Sequence, residues 1–475
     1  MDLSQPGISV PAALHDVFSR ARAAYAAARM PGVNARREAL LQLDRLLTEN
    51  VDEIAAAISA DFGNRSQHET KLLEIFPSRT AVLDAKRHVK SWMKSRRSWA
   101  SMWFLPACTE LRPQPLGVIG IIVPWNYPVF LAVAPLAGAL AAGNRVLIKM
   151  SEFTPKTGEL FAKLVAKYFS PDHVSVINGG ADVAREFSSL PFDHLLFTGS
   201  TEVGKQVMRA AAENLTPVTL ELGGKSPAII GPECKIDEAA EKILFGKCLN
   251  AGQTCIAPDY VLLPRAQEQA FAKAAQSVIA RLYPTLANNP DYTSIVSPRH
   301  VERLTGYLHD AAARGAMVLP ISPVGESLEG TQKIAPTLVA NVNDDMRVMQ
   351  EEIFGPILPL VPYDNLDQAI AYVNARPRPL ALYYFGNFDD HIQRVLNETV
   401  AGGVTINDAL LHVSQDHLPF GGVGPSGMGS YHGKFGFDTF SKLKPIYHQP
   451  ALNGLYLFKP PYGKRFESLI KFLLK

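Results

Sequence analysis

The sequence predicts an α/β protein whose parallel sheets are covered by helices on both faces. Three observations predict it. From Gly117 onward, short apolar runs rich in Val and Ile alternate with runs of helix length. The strand candidates are apolar throughout instead of alternating, as strands buried on both faces are. The chain has 475 residues, more than one ordinary core holds, so two or three domains follow.

Each element has its own signal. The first hundred residues read as helices. Over Asn34–Gly63, Leu40, Leu41, Leu43, Leu46 and Leu47 form a stripe that Ile54 and Ile58 extend, and Gly63 marks a stop. The run "ETKLLEIFPSRTAVLDAKRHVKSWMKSRR" continues the pattern, and its terminal charges read as a solvated face. Gly117–Pro124, "GVIGIIVP", is the first strand. The apolar run Val129–Gly143 is about fifteen residues with a proline, a buried helix and too short to span a bilayer. Arg145–Met150 is a strand, "TPKTGELFAKLVAKYF" a helix entered through Thr154 and Pro155, and Val174–Gly180 and His194–Ser200 are strands. Thr216–Gly231 offers two strands around a glycine turn. A second round begins with a helix over Ile236–Leu249 and the strand Tyr260–Pro264. "EQAFAKAAQSVIARL", "NLDQAIAYVNA" and "DHIQRVLNETV" are helices, interleaved with strands at "MVLP", "KIAPTLVANV", Ile357–Tyr363 and "ALYYFG". Phe466–Lys475 is a short amphipathic helix that could cover an apolar patch or a pocket mouth. The expected division is residues 1–221, with an arm near 90–115; residues 222–410; and a C-terminal return over 411–475.

Composition narrows the function classes. A formal net charge of +2 supplies no basic field for nucleic acid. No apolar stretch is long enough for a membrane span. The polar start "MDLSQPGISV" lacks a secretion-signal pattern, so a cytoplasmic chain is expected. The four cysteines, Cys108, Cys234, Cys248 and Cys255, form no CxxC pair, and no histidine stands near Cys248 or Cys255, so no metal is expected. The ordinary role of each is a small buried apolar residue.

Five stretches could carry chemistry, and each has a plainer reading. In "LNAGQTCIAPDY" (Leu249–Tyr260), Cys255 is a spacer, a metal ligand, half a disulfide or a nucleophile. In "HLLFTGSTEVG", Gly199 and Gly204 bracket a helix start whose N–H groups can receive phosphate oxygens. The spacing is neither GxGxxG nor a GK[ST] loop, and a tight strand–helix turn explains it equally. In "VLIKMSE", Lys149 and Glu152 could take ribose hydroxyls, or form a surface pair. In "PWNYP", two prolines hold Asn126 on a rigid turn, where its amide could face an oxyanion or simply brace the turn. In "LELGGKSP", Glu221 stands before a glycine pair that lets backbone approach a ligand; it is a general base or an exposed carboxylate.

Together these stretches resemble the aldehyde dehydrogenase superfamily over nearly the whole chain. "PWNYP", "FTGSTEVG", "LELGGKSP", "NAGQTC", "EEIFGP" (Glu351–Pro356) and "PFGGVGPSGMG" (Pro419–Gly429) occur in the family's order, with 34 residues from Glu221 to Cys255. "YHGKFGFDTFSKLKPI" (Tyr431–Ile446) resembles the compact, class 3-like branch, whose members are often dimers. The resemblance implies a Rossmann-type cofactor domain, a second α/β catalytic domain and a small bridging element for oligomerisation. It implies Cys255 as nucleophile, Asn126 with the Cys255 N–H at the oxyanion, and Glu221 as base for the hydrolytic water. It implies Lys149 and Glu152 at the adenosine ribose, Ser200 near the pyrophosphate, Glu352 and Phe354 at the nicotinamide ribose and ring, and Trp125, Gly199 and Gly204 among the other cofactor contacts. The strand end reads "LIKMSE" where many members have "KPSE"; Lys149 and Glu152 are retained.

The implied reaction is oxidation of a bulky aromatic or long-chain aldehyde to the acid, with NAD preferred and NADP possible. The overall likeness within the branch is to bacterial enzymes acting on coniferyl aldehyde, which implies ferulic acid as product; a fatty aldehyde is the alternative. An acyl-phosphate or acyl-CoA-linked reductase, or a binding protein on this fold, are the other readings; intact Glu221 argues against the first and intact Cys255, Glu221 and Asn126 against the second. The expected partners are the aldehyde and a second copy of the chain, not nucleic acid or a membrane.

Overall fold

In the computed structural model, the described residues are 10–323, 325–454 and 458–474. The predicted start "MDLSQPGIS", and Lys475 at the end of the tail helix, lie outside them.

Two parallel sheets and one antiparallel sheet organise the chain. The first sheet runs in the order Gly427–Met428, Val218–Glu221, His194–Thr198, Val118–Ile122, Arg145–Lys149, Val174–Ile177. All neighbours are parallel except Gly427–Met428, which pairs antiparallel with Val218–Glu221 and sets Gly427 opposite Glu221. Val118–Ile122 and His194–Thr198 are buried at every position, as their unbroken apolar character requires. The second sheet has seven strands, from Met317–Pro320 at one edge to Gly403–Ile406 at the other, parallel except at the first pair. The two strands predicted around the Gly223–Gly224 turn are Val218–Glu221 and Pro227–Ile230, and they belong to different sheets. That turn is therefore a crossing point between the two α/β units. The third sheet joins Arg96–Trp99, Cys108–Pro115 and Ser441–His448.

The helical N-terminus differs from its predicted outline in two places. The expected run Asn34–Gly63 is two helices, Val33–Thr48 and Val51–Phe62. Asn50 stands between them and donates its Nδ2 to the Leu46 carbonyl, offering the backbone an alternative to continued helix. The next run contains a π-turn over Lys71–Ile75 before the helix Phe76–Trp92. Pro77 has no N–H to donate, and the widened turn carries Glu74 into the interior, fully buried. The helix ends at Trp92, so the arginines at 96 and 97 lie on a strand of the third sheet.

At the centre, all thirteen residues of the helix Phe130–Ala142 are buried. It ends on Gly143 at φ +90°, a left-handed cap that suits glycine. The tail helix Lys464–Leu473 lies beside the bridging arm, with Phe472 and Trp103 ring centroids 6.2 Å apart.

Candidate active site

Cys255 follows a loop held in an uncommon backbone shape. Asn250, Ala251 and Gly252 have φ of +51°, +51° and +75° in succession. Two of them are not glycine, so each costs energy that surrounding contacts must offset. Gln253 supplies many of those contacts from full burial: Nε2 donates to the carbonyls of Asn250 and Ser294, both at 3.0 Å, and Oε1 accepts from Val296 N. Asn250 N donates to Glu69 Oε2 at 3.0 Å. A side chain at Gly252 would run into the Gly355 carbonyl. The cysteine is not disulfide-bonded, and no cluster of metal-ligating side chains occurs among the described residues. Burial pushes the Cys255 thiol up to about 12, with Glu352 and Glu221 adding to it and the N–H groups of Cys255 and Ile256 opposing.

Asn126 lies against this loop. Its Nδ2 donates to the Gln253 carbonyl at 3.2 Å, which leaves the second amide hydrogen free. The Asn126 carbonyl accepts from Asn250 Nδ2 at 3.1 Å and from Arg65 Nη1 at 2.8 Å. The turn is a partition. Pro124 and Trp125 line one cavity; Tyr127, Phe130 and Leu131 line another.

The second of these cavities is a tunnel of about 890 Å³ that reaches Cys255. Its walls are mainly apolar, with Leu73, Phe130, Leu249, Ile256 and Phe420 among them, while Glu238, Glu241 and Lys242 also line it. Tyr127 contributes its ring and hydrogen-bonds Thr254 through its hydroxyl at 2.6 Å.

Glu221 ends its strand fully buried, and neither carboxylate oxygen has a hydrogen-bond partner. Burial alone holds its carboxyl well above the ordinary value of 4.5. Glu352 is also pushed up, to about 8, by burial and then by Asp259. A side chain at Gly223 would occupy the place of the Glu352 carboxylate. Lys225 then ties this turn to the Glu352 loop, bonding Asp259, the Val348 carbonyl and the Glu351 carbonyl. Asp259 accepts from Ile353 N at 3.0 Å. Phe354 has φ +52°, and its ring meets Trp125 edge-on at 5.3 Å.

The first cavity is a groove, also of about 890 Å³, along the ends of the first sheet. Lys149, Glu152, Gly199, Ser200 and Trp125 line it. Lys149 donates to the carbonyls of Met150 and Gly179, both at 2.7 Å, leaving one of its three N–H groups. Burial draws its ammonium below the ordinary value, and Glu152 and Asp182 oppose that. Ser200 caps the helix Thr201–Ala212, accepting from Val203 N. Buried Thr198 Oγ1 on the groove wall has no partner. A helix N-terminus, a spare ammonium N–H, an unpaired hydroxyl and an exposed carboxylate suit a dinucleotide's phosphates and ribose. At Gly204 a Cβ would come within 2.6 Å of Leu222 Cδ2, so this glycine lets the helix pack closely behind the groove.

Sequence reasoning passed over Arg65, Glu69, Glu74, Lys225 and Asp259. Lys225 and Asp259 stand inside stretches quoted for other residues, "LELGGKSP" and "LNAGQTCIAPDY", and were legible there. Arg65, Glu69 and Glu74 carry no local signal.

The model of the aldehyde dehydrogenase family matches residues 9–446. The chain is 54% identical, over 96% of its length and 95% of the relative's, to a probable coniferyl aldehyde dehydrogenase of Pseudomonas aeruginosa. It is 49% identical, over 92% and 91%, to a coniferyl aldehyde dehydrogenase of a Pseudomonas species. A 4,4'-diaponeurosporen-aldehyde dehydrogenase of Staphylococcus aureus is 40% identical over 93% and 95%. Among solved structures, the substrate-bound state of Staphylococcus aureus AldH superposes with a TM-score of 0.91 at 38% identity, covering 97% of this chain and 99% of that one.

Proposed function

The chain belongs to the aldehyde dehydrogenase family, and from that membership we propose that it oxidises coniferyl aldehyde to ferulic acid through Cys255. That it is an NAD(P)-dependent aldehyde dehydrogenase follows from the family and from its relatives. One observation supports the rest best: the apolar tunnel reaches Cys255 beside the turn that carries Asn126.

In this reading the Cys255 thiol first releases its proton to solvent, against the burial that raises it, and the sulfur then adds to the aldehyde carbon as thiolate. The free hydrogen of the Asn126 amide and the Cys255 N–H take the oxyanion, as prepositioned dipoles do at little reorganisation cost. A nicotinamide cofactor, when bound, would supply the hydride acceptor. Lys149, Glu152 and Ser200 would hold its adenosine and phosphate portion, and Trp125, Glu352 and Phe354 its nicotinamide portion. The thioester left on Cys255 is then hydrolysed, with Glu221 taking a proton from water; its bare, buried oxygens have no protein partner to compete with that water.

Two relatives at 54% and 49% identity are named for coniferyl aldehyde. A tunnel walled by Phe76, Phe130, Phe245 and Phe420 suits an aromatic ring. Exposed Glu152 at the groove favours NAD over NADP, because a 2′-phosphate would set like charges together. Trp99, Met102, Trp103, Phe104 and Leu105 form an exposed apolar arm on the third sheet, which supports a homodimer. No helix among the described residues is long and apolar enough to cross a membrane.

The test is a panel of coniferaldehyde, benzaldehyde and decanal, each with NAD and with NADP. The proposal expects the highest kcat/KM for coniferaldehyde with NAD, and none for Cys255→Ser. A clear preference for decanal would replace the substrate, and turnover by the serine variant would replace the nucleophile.

A further inference from the structure

The turn that carries Asn126 is gripped by a buried ion pair outside the residues assigned above. Arg65 Nη1 meets Glu74 Oε1 at 2.8 Å, and neither side chain has any solvent exposure. The same Nη1 donates to the Asn126 carbonyl at 2.8 Å, so its two hydrogens serve both partners. Glu74 Oε2 accepts from Val129 N at 2.7 Å and from Phe130 N at 3.1 Å. One pair thus holds the turn at Asn126 from one side and at the entry of the central helix from the other. The guanidinium also lies 4.8 Å from the Tyr127 ring centroid and 5.2 Å from that of Phe62. Its Nε and Nη2 have no hydrogen-bond partner. Asn250 Nδ2 shares the Asn126 carbonyl, which couples the grip to the loop leading to Cys255.

Stability alone is a weak reason for such a pair. Two charges removed from water pay desolvation that their attraction barely offsets, and apolar residues of like volume often serve as well. What the pair does supply is direction: a guanidinium has a rigid fork, and here it fixes the peptide that bears the Asn126 side chain. Backbone displacement by about 1 Å at a reacting centre can cost about 100-fold in rate.

We propose that Arg65, oriented by Glu74, is a positioning residue for aldehyde addition, acting through the Asn126 peptide to aim its amide at the oxyanion. The inference rests on the oxyanion role proposed for Asn126. Lysine at 65 keeps the charge but loses the planar fork, so the amide loses its aim without an uncompensated Glu74.

The experiment compares Arg65→Lys, Arg65→Gln, Glu74→Gln, Asn126→Ala and the Arg65→Gln/Asn126→Ala double variant. Rates are taken per active site, titrated with a thiol reagent, by rapid mixing of coniferaldehyde with the NAD-loaded enzyme. NAD affinity and melting temperature are measured on the same samples. Arg65→Lys is expected to slow the first turnover about 10- to 100-fold, with NAD affinity unchanged and kcat reduced more than KM is raised. Asn126→Ala is expected to lose about 100- to 1,000-fold, and adding Arg65→Gln to it should cost nothing further, because the two act as one unit. A first turnover left unchanged per titrated site in Arg65→Lys, or in Glu74→Gln where the lysine variant does not fold, overturns the proposal. So does a loss from Arg65→Gln that multiplies in full on top of Asn126→Ala. A near-normal rate for Asn126→Ala alone removes the oxyanion assignment itself, which is a different failure.

Discussion

Glu221 is buried at a strand end with both carboxylate oxygens bare. A base must be ionised to take a proton, and burial makes ionisation harder. The acyl-enzyme should therefore hydrolyse faster as the pH rises through the raised pKa, and Glu221→Gln should abolish that limb of the kcat profile. The amide can leave aldehyde addition intact, so rapid mixing of this variant should show a burst near one reduced cofactor per site, then a slow steady state. Absence of the burst would move Glu221 to activation of the thiol. Stability gives an independent check. The folded state binds the Glu221 proton more tightly than the unfolded chain, so this group's contribution is greatest below the ordinary carboxyl value of 4.5 and is lost as the pH rises toward the raised folded value. Melting temperatures of wild type and Glu221→Gln should diverge with rising pH, the glutamine variant becoming the more stable.

At the scale of elements, the loop Leu249–Gly252 is held out of ordinary helical or extended shape, and the Gln253 carbonyl just before Cys255 meets the Asn126 amide. Gly252→Ala tests that directly. Left-handed φ and the facing Gly355 carbonyl should together cost at least about 1–3 kcal/mol. A melting temperature within a degree or two of wild type would show that the loop yields easily. The loop also marks where sequence reading stopped. The inner strands of both large sheets were legible, because apolar runs such as "GVIGIIVP" and "HLLFT" signal burial by themselves, whereas the edge strands Gly403–Ile406 and Gly427–Met428 were not read. The stretches bearing Cys255, Glu221 and Asn126 were legible through their glycines, prolines and order. What was not legible is what only three-dimensional proximity creates. Ala251 has a side chain that ordinarily avoids positive φ, and one asparagine before it does not announce three such residues in a row. Gly204 sits in a motif read as a ligand turn, yet its neighbour is Leu222. Arg65 lies in the short linker between two helices, Glu74 lies in helical sequence that reads as surface, and the π-turn brings Glu74 inward.

For the molecule as a whole, the third sheet leaves Trp99 with 74% and Met102 with 70% of their surface exposed. Large apolar side chains at such exposure are expected to be covered by a partner. Sedimentation equilibrium should give a dimer for the wild type and a monomer for Trp99→Asp/Met102→Asp; an unchanged dimer would place the contact elsewhere. The first sheet closes only when Gly427–Met428, near the end of the chain, pairs with the strand of Glu221. While the ribosome is still making the second half, the edge at Val218–Glu221 has no neighbour and stands as an open template for any other strand. The nascent protein is thus at its most adhesive between completion of its first half and arrival of its last tenth. A shortage of tRNA or a stalling codon in that interval would show itself as inclusion bodies, with the chemistry of the finished enzyme untouched.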